Sequence, residues 1–561
     1  MFGCDKHRIN LVIPDSSIWP SCTLWSLFTR AVKAYQDREF LVFEDGTRLS
    51  YLDVYHEALS FAASLRHMGI KKGTHVAVKL KNSPEAVIVA LAIQSLGAVR
   101  VPMNITWGPM EMNYALSKTD AEYLISDVEE SFINPTTPPS LKTVVVIGEE
   151  GMQGFEFQKR FKNWNAFKEF VSCENAEGVN VSDLDSLVQD VSCTEVSDIF
   201  FTSGSSGNPK GVPLTHDMLL RNAYAGCVNR NFNDGRRIYL PIPQCHIYAY
   251  VEGLLAALFV GGTLLMTRNN LKPEEALDYL MKEEAQDLIM VPSQAIKYVE
   301  YLRDSTIKPS CVQSIYCSAS STPKWLWSAL RETFGIEDVI TGYGMTEVSG
   351  ATMQTRSFDS DSTLMQCVGT YMNAGIAGDK TLQGRLVEYK VVDIETKETL
   401  PQGEIGELWC RGPVVMKGYC NDSEVNSRAF SDGWLRTGDL GRFDERGYLE
   451  LCGRLGDSYK INGENVSTRF VASILEECPG VECVEIVGVP NARLGAVGAA
   501  FVQLEEDHPR RRDEFEQFCK KNLARYQVPK YYFYFKDTDW PRTESGKVKK
   551  KELVLYASLC A

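Results

Sequence analysis

The sequence predicts an α/β protein: a large N-terminal domain of βα sheets, a small β-barrel-like subdomain at its end, and an α+β C-terminal cap. Three observations carry this reading. The chain has 561 residues, more than one hydrophobic core supports, so roughly three or four packing units are expected. Up to Gly344, short apolar runs alternate with helix-period segments, the pattern of parallel strands covered by helices. From Tyr389 to Glu450 the texture changes to short strands separated by Gly and Asp turns, which points to an antiparallel subdomain. The expected boundaries are residues 1–453 for the N-terminal domain (β-rich from about 385), 454–457 for a connector and 458–561 for the cap.

Taken in order, Phe40–Ser50 reads as a hairpin turning at Asp45-Gly46. Tyr51–Met68 has apolar residues at helical spacing and stops at Gly69. His75–Leu80 is a strand, Pro84–Leu96 a buried helix and Val99–Met103 a further strand. Between Glu149 and Asp190 the pattern weakens to a variable surface segment with one amphipathic helix. Val196–Phe201 is a strand, and Thr215 is placed to cap a helix beginning at His216. Arg237–His246 gives a strand with a polar tip, Glu252–Phe259 an apolar helix and Gly261–Met266 another strand. Further βα units run from Gln286 to Gly344, and residues 350–383 form a long irregular segment.

Composition narrows the function classes. With 59 basic against 73 acidic residues the formal charge is −14, which disfavours a nucleic-acid partner. An anionic ligand therefore needs locally placed cations. Sixteen cysteines without close pairing point to reduced thiols and a cytoplasmic protein. Ala86–Val99 and Leu254–Met266 are too short to span a bilayer, which needs about 20 residues, and the N-terminus has no leader-like apolar region.

Four stretches carry chemistry. Phe200–Thr215 contains Thr202, Ser203, Gly204, Ser205, Ser206 and Gly207, followed by Pro209-Lys210-Gly211. Small hydroxyl and glycine residues let backbone N–H groups converge on phosphate oxygens while Lys210 adds charge. The spacing is not that of a Walker A loop. Val339–Glu347 brings Thr341, Gly342, Tyr343, Gly344, Met345, Thr346 and Glu347 to a glycine turn. An exposed Tyr there can stack on a purine, and a carboxylate beside phosphate can hold Mg²⁺. Asp432–Leu440 places Asp439 to accept hydrogen bonds from a ribose diol, with Arg454 as a further donor. Pro541–Lys547 is followed by Val-Lys-Lys-Lys551. Read alone, it is a basic solvated tail.

The loop at Phe200–Thr215 closely resembles the signature of the adenylate-forming superfamily, which includes acyl-CoA synthetases, stand-alone adenylation domains and firefly luciferase. The other stretches fall in the same order, across residues 200–553. The resemblance implies that Tyr343 packs on adenine, that Thr346 contacts the α-phosphate and that Glu347 binds magnesium. Ser318, Ala319 and Ser320, in Cys317–Pro323, resemble the segment bordering adenine and the acyl pocket. Lys547 matches the lysine that bridges carboxylate and phosphate during adenylation. His246 matches the histidine gating the acid pocket, although a lone His in an apolar run is commonly a core residue; Glu252 and Gly253 are expected to line the same pocket.

What the resemblance implies is a two-step reaction: a carboxylic acid attacks the α-phosphorus of Mg·ATP, pyrophosphate leaves, and the mobile cap then presents a thiol, usually coenzyme A. Gly463 and Glu464 would lie on the thiol-transfer side. Three departures stand out: Gly456 replaces the usual hinge Asp or Lys, Asn462 replaces a glycine, and Ser467–Ala472 lacks the customary Pro-x-Glu. Two alternatives stay open. One is a stand-alone adenylating enzyme loading a carrier-protein thiol, the other a nucleotide-binding regulatory or scaffold homologue with reduced turnover. The identity of the acid and the oligomeric state are not legible.

Overall fold

A computed structural model describes residues 19–127, 138–147, 158–161, 191–202, 209–268, 271–320, 322–455, 458–461, 464–491, 494–505, 512–543 and 547–560. Two seven-stranded sheets dominate the N-terminal part. The first runs, in spatial order, Gln158–Phe161, Thr143–Ile147, Tyr123–Ser126, His75–Lys79, Val99–Pro102, Val196–Thr202 and Lys210–Thr215. Its pairs are parallel except the last, where Thr202 lies opposite Lys210. The second runs Asp338–Ile340, Ser314–Cys317, Asp287–Met290, Arg237–Leu240, Thr263–Met266, Glu39–Phe43 and Arg48–Ser50, again parallel until its final hairpin. That hairpin turns at Gly46, at φ +92°, with Asp45 Oδ1 accepting from the Thr47 N–H.

The helices between the sheets follow from local sequence. Pro84–Ser95 starts behind Ser83, whose hydroxyl accepts from the Ala86 N–H. It is apolar on every face and nearly every residue in it is buried, as an all-round hydrophobic helix must be. Thr215 caps His216–Asn229 by accepting from the Met218 N–H, as its position predicts. These helices join one extended core that includes Phe28, Phe40, Phe200, Tyr250 and Phe259.

Three expectations are corrected. The apolar helix placed at Glu252–Phe259 begins earlier and changes pitch: Ile247–Ala249 is α-helical, Tyr250–Leu255 is a π-helical turn, and Ala256–Val260 is α-helical again. The β-rich subdomain is an antiparallel sheet of Glu388–Val392, Gly406–Arg411, Trp434–Phe443, Phe430–Ser431 and Leu449–Arg454, and no pair among the described residues closes it into a barrel. The irregular stretch at 350–383 is more ordered than its sequence suggests, with a strand at Gly350–Gln354 and a helix at Asp361–Gln366. The amphipathic helix expected between Glu149 and Asp190 lies outside the described residues.

The C-terminal part is α+β. Gly495–Leu504 pairs antiparallel with Val481–Asn491 and parallel with Tyr531–Phe535, while Ser458–Ile461 and Glu464–Ser467 extend the same sheet. Leu475, Phe515 and Val502 pack on one side of it, and Phe501, Trp540 and Leu553 on the other. Lys324 reaches across to Glu477 at 2.9 Å. The described cysteines are all free, and no helix among the described residues is long and apolar enough to cross a membrane.

Candidate functional site

The strand Val196–Thr202 and its partner Lys210–Thr215 hold the ends of the Ser/Gly loop in register. Ser203, Gly204, Ser205, Ser206 and Gly207 lie outside the described residues, as do Gly456 and Gly463. Lys210 is described: its ammonium sits 5.1 Å from the centre of the Tyr419 ring. The Tyr419 hydroxyl donates to Glu347 Oε1 at 2.8 Å. Tyr419 thus joins the loop cation to the glycine-turn carboxylate. Sequence reasoning missed it, because a Tyr in Lys417-Gly-Tyr-Cys420 carries no motif of its own.

The glycine turn is built by backbone crowding. Gly342–Met345 pairs antiparallel with Gly350–Gln354, and a Cβ on Gly344 would overlap the Gly350 carbonyl. Thr346–Val348 then forms one 3₁₀ turn, and the Met416 N–H donates to the Glu347 carbonyl at 2.8 Å. Thr341 is held by exchange with Thr355, whose hydroxyl accepts from the Thr341 N–H. Ser318 donates to the Gly342 carbonyl at 2.8 Å, tying the 317–320 segment to the turn. Ala319 has φ +78°, a left-handed conformation uncommon for a residue with a Cβ.

Tyr343 departs from expectation. It is 6% exposed rather than open, and its hydroxyl donates to Asp439 Oδ2 at 2.7 Å. The strand pairing turns the ring inward beside Tyr389, with centroids 6.0 Å apart. Asp439 Oδ1 accepts from Arg454 Nε, the register partner of Asp439 across the sheet. The carboxylate expected to meet a diol is therefore also the hub of a Tyr343–Asp439–Arg454 triad. Each carboxylate oxygen has a second lone pair available.

Lys547 belongs to the same neighbourhood. The turn before it is closed by the Thr543 N–H donating to the Lys547 carbonyl and the Lys547 N–H donating to Thr543 Oγ1. The residue is exposed, while the protein around its ammonium desolvates it. That desolvation and the positive charge of Arg454 lower its pKa, while Asp439 and Glu347 oppose the change. His246 completes the group. Burial, with the Lys547 charge adding to it, pushes its imidazole down to about 4, and its Nε2 is buried with no partner among the described residues. Glu252 does not join it. Fully buried, it turns into an ion network, 3.0 Å from Arg230, which also reaches Asp287 at 3.3 Å. Burial outweighs the Arg230 charge and raises its pKa to about 7. Glu464 opens the strand Glu464–Ser467, which pairs antiparallel with Ser458–Ile461.

Lys210 is thus linked to Glu347 through Tyr419, and the Lys547 ammonium, from the other end of the fold, feels the Glu347 charge. A sequence model of AMP-binding enzymes matches residues 28–420, and one of the AMP-binding enzyme C-terminal domain matches residues 471–547. The chain belongs to the AMP-binding enzyme family. Among curated proteins it is 31% identical to YngI of Bacillus subtilis, which carries an acyl-CoA synthetase name, over 95% of this chain and 96% of that one. It is 28% identical to the medium-chain fatty-acid–CoA ligase of Escherichia coli over 96% of this chain and 90% of that one. Among solved structures, the anthranilate CoA ligase AuaEII in complex with anthranoyl-AMP shares its fold at a TM-score of 0.79 and 23% identity, covering 97% and 98% of the two chains. These similarities run over nearly the whole chain.

Proposed function

We propose that this AMP-binding enzyme is an AMP-forming acid–thiol ligase. It activates a carboxylic acid with ATP, releases pyrophosphate, and transfers the acyl group from the adenylate to coenzyme A. The observation that supports this most is the position of Lys547, contributed by the C-terminal part, within electrostatic reach of Asp439, Arg454 and Glu347.

In this reading Asp439 and Arg454 hold the ribose and Tyr343 orders Asp439. The segment Ser318–Ser320 and the turn Thr341–Met345 border the base. The loop 202–207 and Lys210 hold the phosphates, and Thr346 meets the α-phosphate. The acid enters past His246, whose neutral ring does not repel a cation or compete for the carboxylate. Lys547 donates to the carboxylate and the α-phosphate together, so that attack and departure of pyrophosphate lie in line. Charge developing on the phosphorus oxygens meets two fixed cations in a cleft, where they act more strongly than in bulk water. Glu347 suits magnesium: a single carboxylate with substrate phosphates and water is the usual way this ion is bound, and it would supply charge neutralisation on the phosphates. The boundary residues 454–457 serve as the hinge on which residues 458–561 turn, bringing Gly463 and Glu464 towards the thiol.

The experiment is a panel of carboxylic acids with ATP, testing for acid-dependent pyrophosphate exchange and for acyl-CoA. Exchange with at least one acid and thioester with free coenzyme A is the expected result. Exchange without thioester, restored by a carrier-protein phosphopantetheine, would favour the carrier-loading alternative. Silence across the panel would favour a regulatory homologue.

A further inference from the structure

Arg100 lies between the two halves of the site and belongs to neither. It is 3% exposed on the strand Val99–Pro102, facing a core that is otherwise largely apolar. Its Nε donates to Asp198 Oδ1 at 2.5 Å, and Asp198 is fully buried, four residues before Thr202 on the strand that enters the phosphate loop. Gln94 and Ser197 both donate to the other oxygen, Asp198 Oδ2. On its other side the guanidinium lies over Tyr250, its carbon 4.0 Å from the ring centre, with Phe200 at 5.3 Å. Tyr250 opens the π-helical turn, and its N–H donates to the His246 carbonyl at 3.1 Å.

Two costly features meet at this point. A buried ion pair in an apolar core is frequently replaceable by hydrophobic residues without loss of stability. This one also leaves the Arg100 Nη2 buried with no hydrogen-bond partner among the described residues, which costs further free energy. The π-helical turn beside it has poorer geometry than an α-helix and tends to mark functional segments. Stability alone explains neither. What they accomplish together is a rigid link between the strand that carries the phosphate loop and the segment that carries His246.

We propose that Arg100 is a positioning residue for adenylation: by clasping Asp198 and Tyr250 it sets the separation between the bound phosphates and the acid's carboxylate. This rests on the ligase reading above. A guanidinium suits the task because one planar group pairs with a carboxylate along its edge and stacks on a ring through its face, whereas an ammonium has neither the plane nor the fork. Misalignment of reacting atoms by about 1 Å costs on the order of 10²-fold in rate, with little effect on the binding of either substrate.

The test uses the full chain and acid-dependent pyrophosphate exchange with the best acid from the panel. In the double variant R100M/D198N both charges are removed, while the amide oxygen at position 198 still accepts from Gln94 and Ser197. Its melting temperature should stay near that of the wild type, and KM for ATP and for the acid should change by less than about threefold. Its kcat should fall by about 10- to 100-fold. R100K, which keeps the charge and fold but not the planar contact, should lose about fivefold to tenfold in kcat with both KM values held. If the double variant does not fold, R100K decides alone. Wild-type kcat in the folded variants, or a loss that appears in KM instead, overturns the proposal. An inert wild type overturns this proposal together with the ligase reading, whereas an active wild type with unaffected variants overturns this one only.

Discussion

Tyr343, Asp439 and Arg454 show how much a single side chain's surroundings decide. Their types and spacing suggest nucleotide contacts from the sequence, because each sits beside a glycine. Their mutual bonding is not legible there, since Asp439 lies 96 positions from Tyr343 and only the sheet brings them together. Replacing Tyr343 by Phe removes one donor to a buried carboxylate, a change of roughly 1–1.5 kcal/mol. KM for ATP should therefore rise by about tenfold, with kcat nearly unchanged, in initial-rate measurements across ATP concentration. A kcat loss without a KM change would place Tyr343 in the chemical step instead. Tyr419 teaches the converse. It bridges Lys210 and Glu347, yet nothing adjacent in sequence distinguishes it from any half-buried tyrosine.

The elements best read in advance were those whose local signals agree with their packing. Pro84–Ser95 has a Ser cap, a Pro at its first position and apolar residues throughout, so pattern and burial coincide. The π-helical turn at Tyr250–Leu255 was missed because an inserted residue leaves the apolar run unbroken: pitch depends on what packs against it, here Arg100 and Arg230. The hairpin at Gly342–Gln354 makes a sharp prediction. Gly344→Ala pushes a methyl into the Gly350 carbonyl, so thermal unfolding should occur well below the wild-type temperature and pyrophosphate exchange should be lost with it. An unshifted transition would mean that the hairpin opens at little cost.

The helix His216–Asn229 makes a second prediction. His216 is 1% exposed, its Nδ1 accepts from the Leu24 N–H, and burial lowers its pKa to about 4. The unfolded chain takes up a proton near the ordinary value of about 6.5, while the folded chain does not until about 4. Stability contributed by the neutral ring is thus full above about 6.5 and declines as pH falls towards 4. The change approaches an order of 3 kcal/mol. Urea unfolding at pH 7 and pH 5 should show the loss, and His216→Asn should flatten it. An equal slope in the variant would assign the pH dependence to other groups.

At the scale of the whole molecule, the arrangement of sheets was legible from periodicity and from the change of texture near Tyr389, whereas the placement of Lys547 near Arg454, Asp439 and Glu347 was not. Charge decides that placement's consequence. Lys547 has its pKa lowered chiefly by desolvation and by Arg454, so its cationic form is present below the lowered value and is lost as pH rises through it. The alkaline limb of kcat/KM for adenylation should accordingly fall at a pH below the ordinary lysine value of about 10.4. Lys547→Ala should remove that limb altogether.

The same variant gives the most direct measurement of the central claim, which is that cations from the two parts of the chain meet across one cleft to join an acid to a nucleotide. In acid-dependent pyrophosphate exchange at neutral pH, Lys547→Ala should lower kcat by about 10²- to 10³-fold, the loss typical of removing one charge-stabilising donor, while the folded state remains intact. Undiminished exchange in the folded variant would contradict the account.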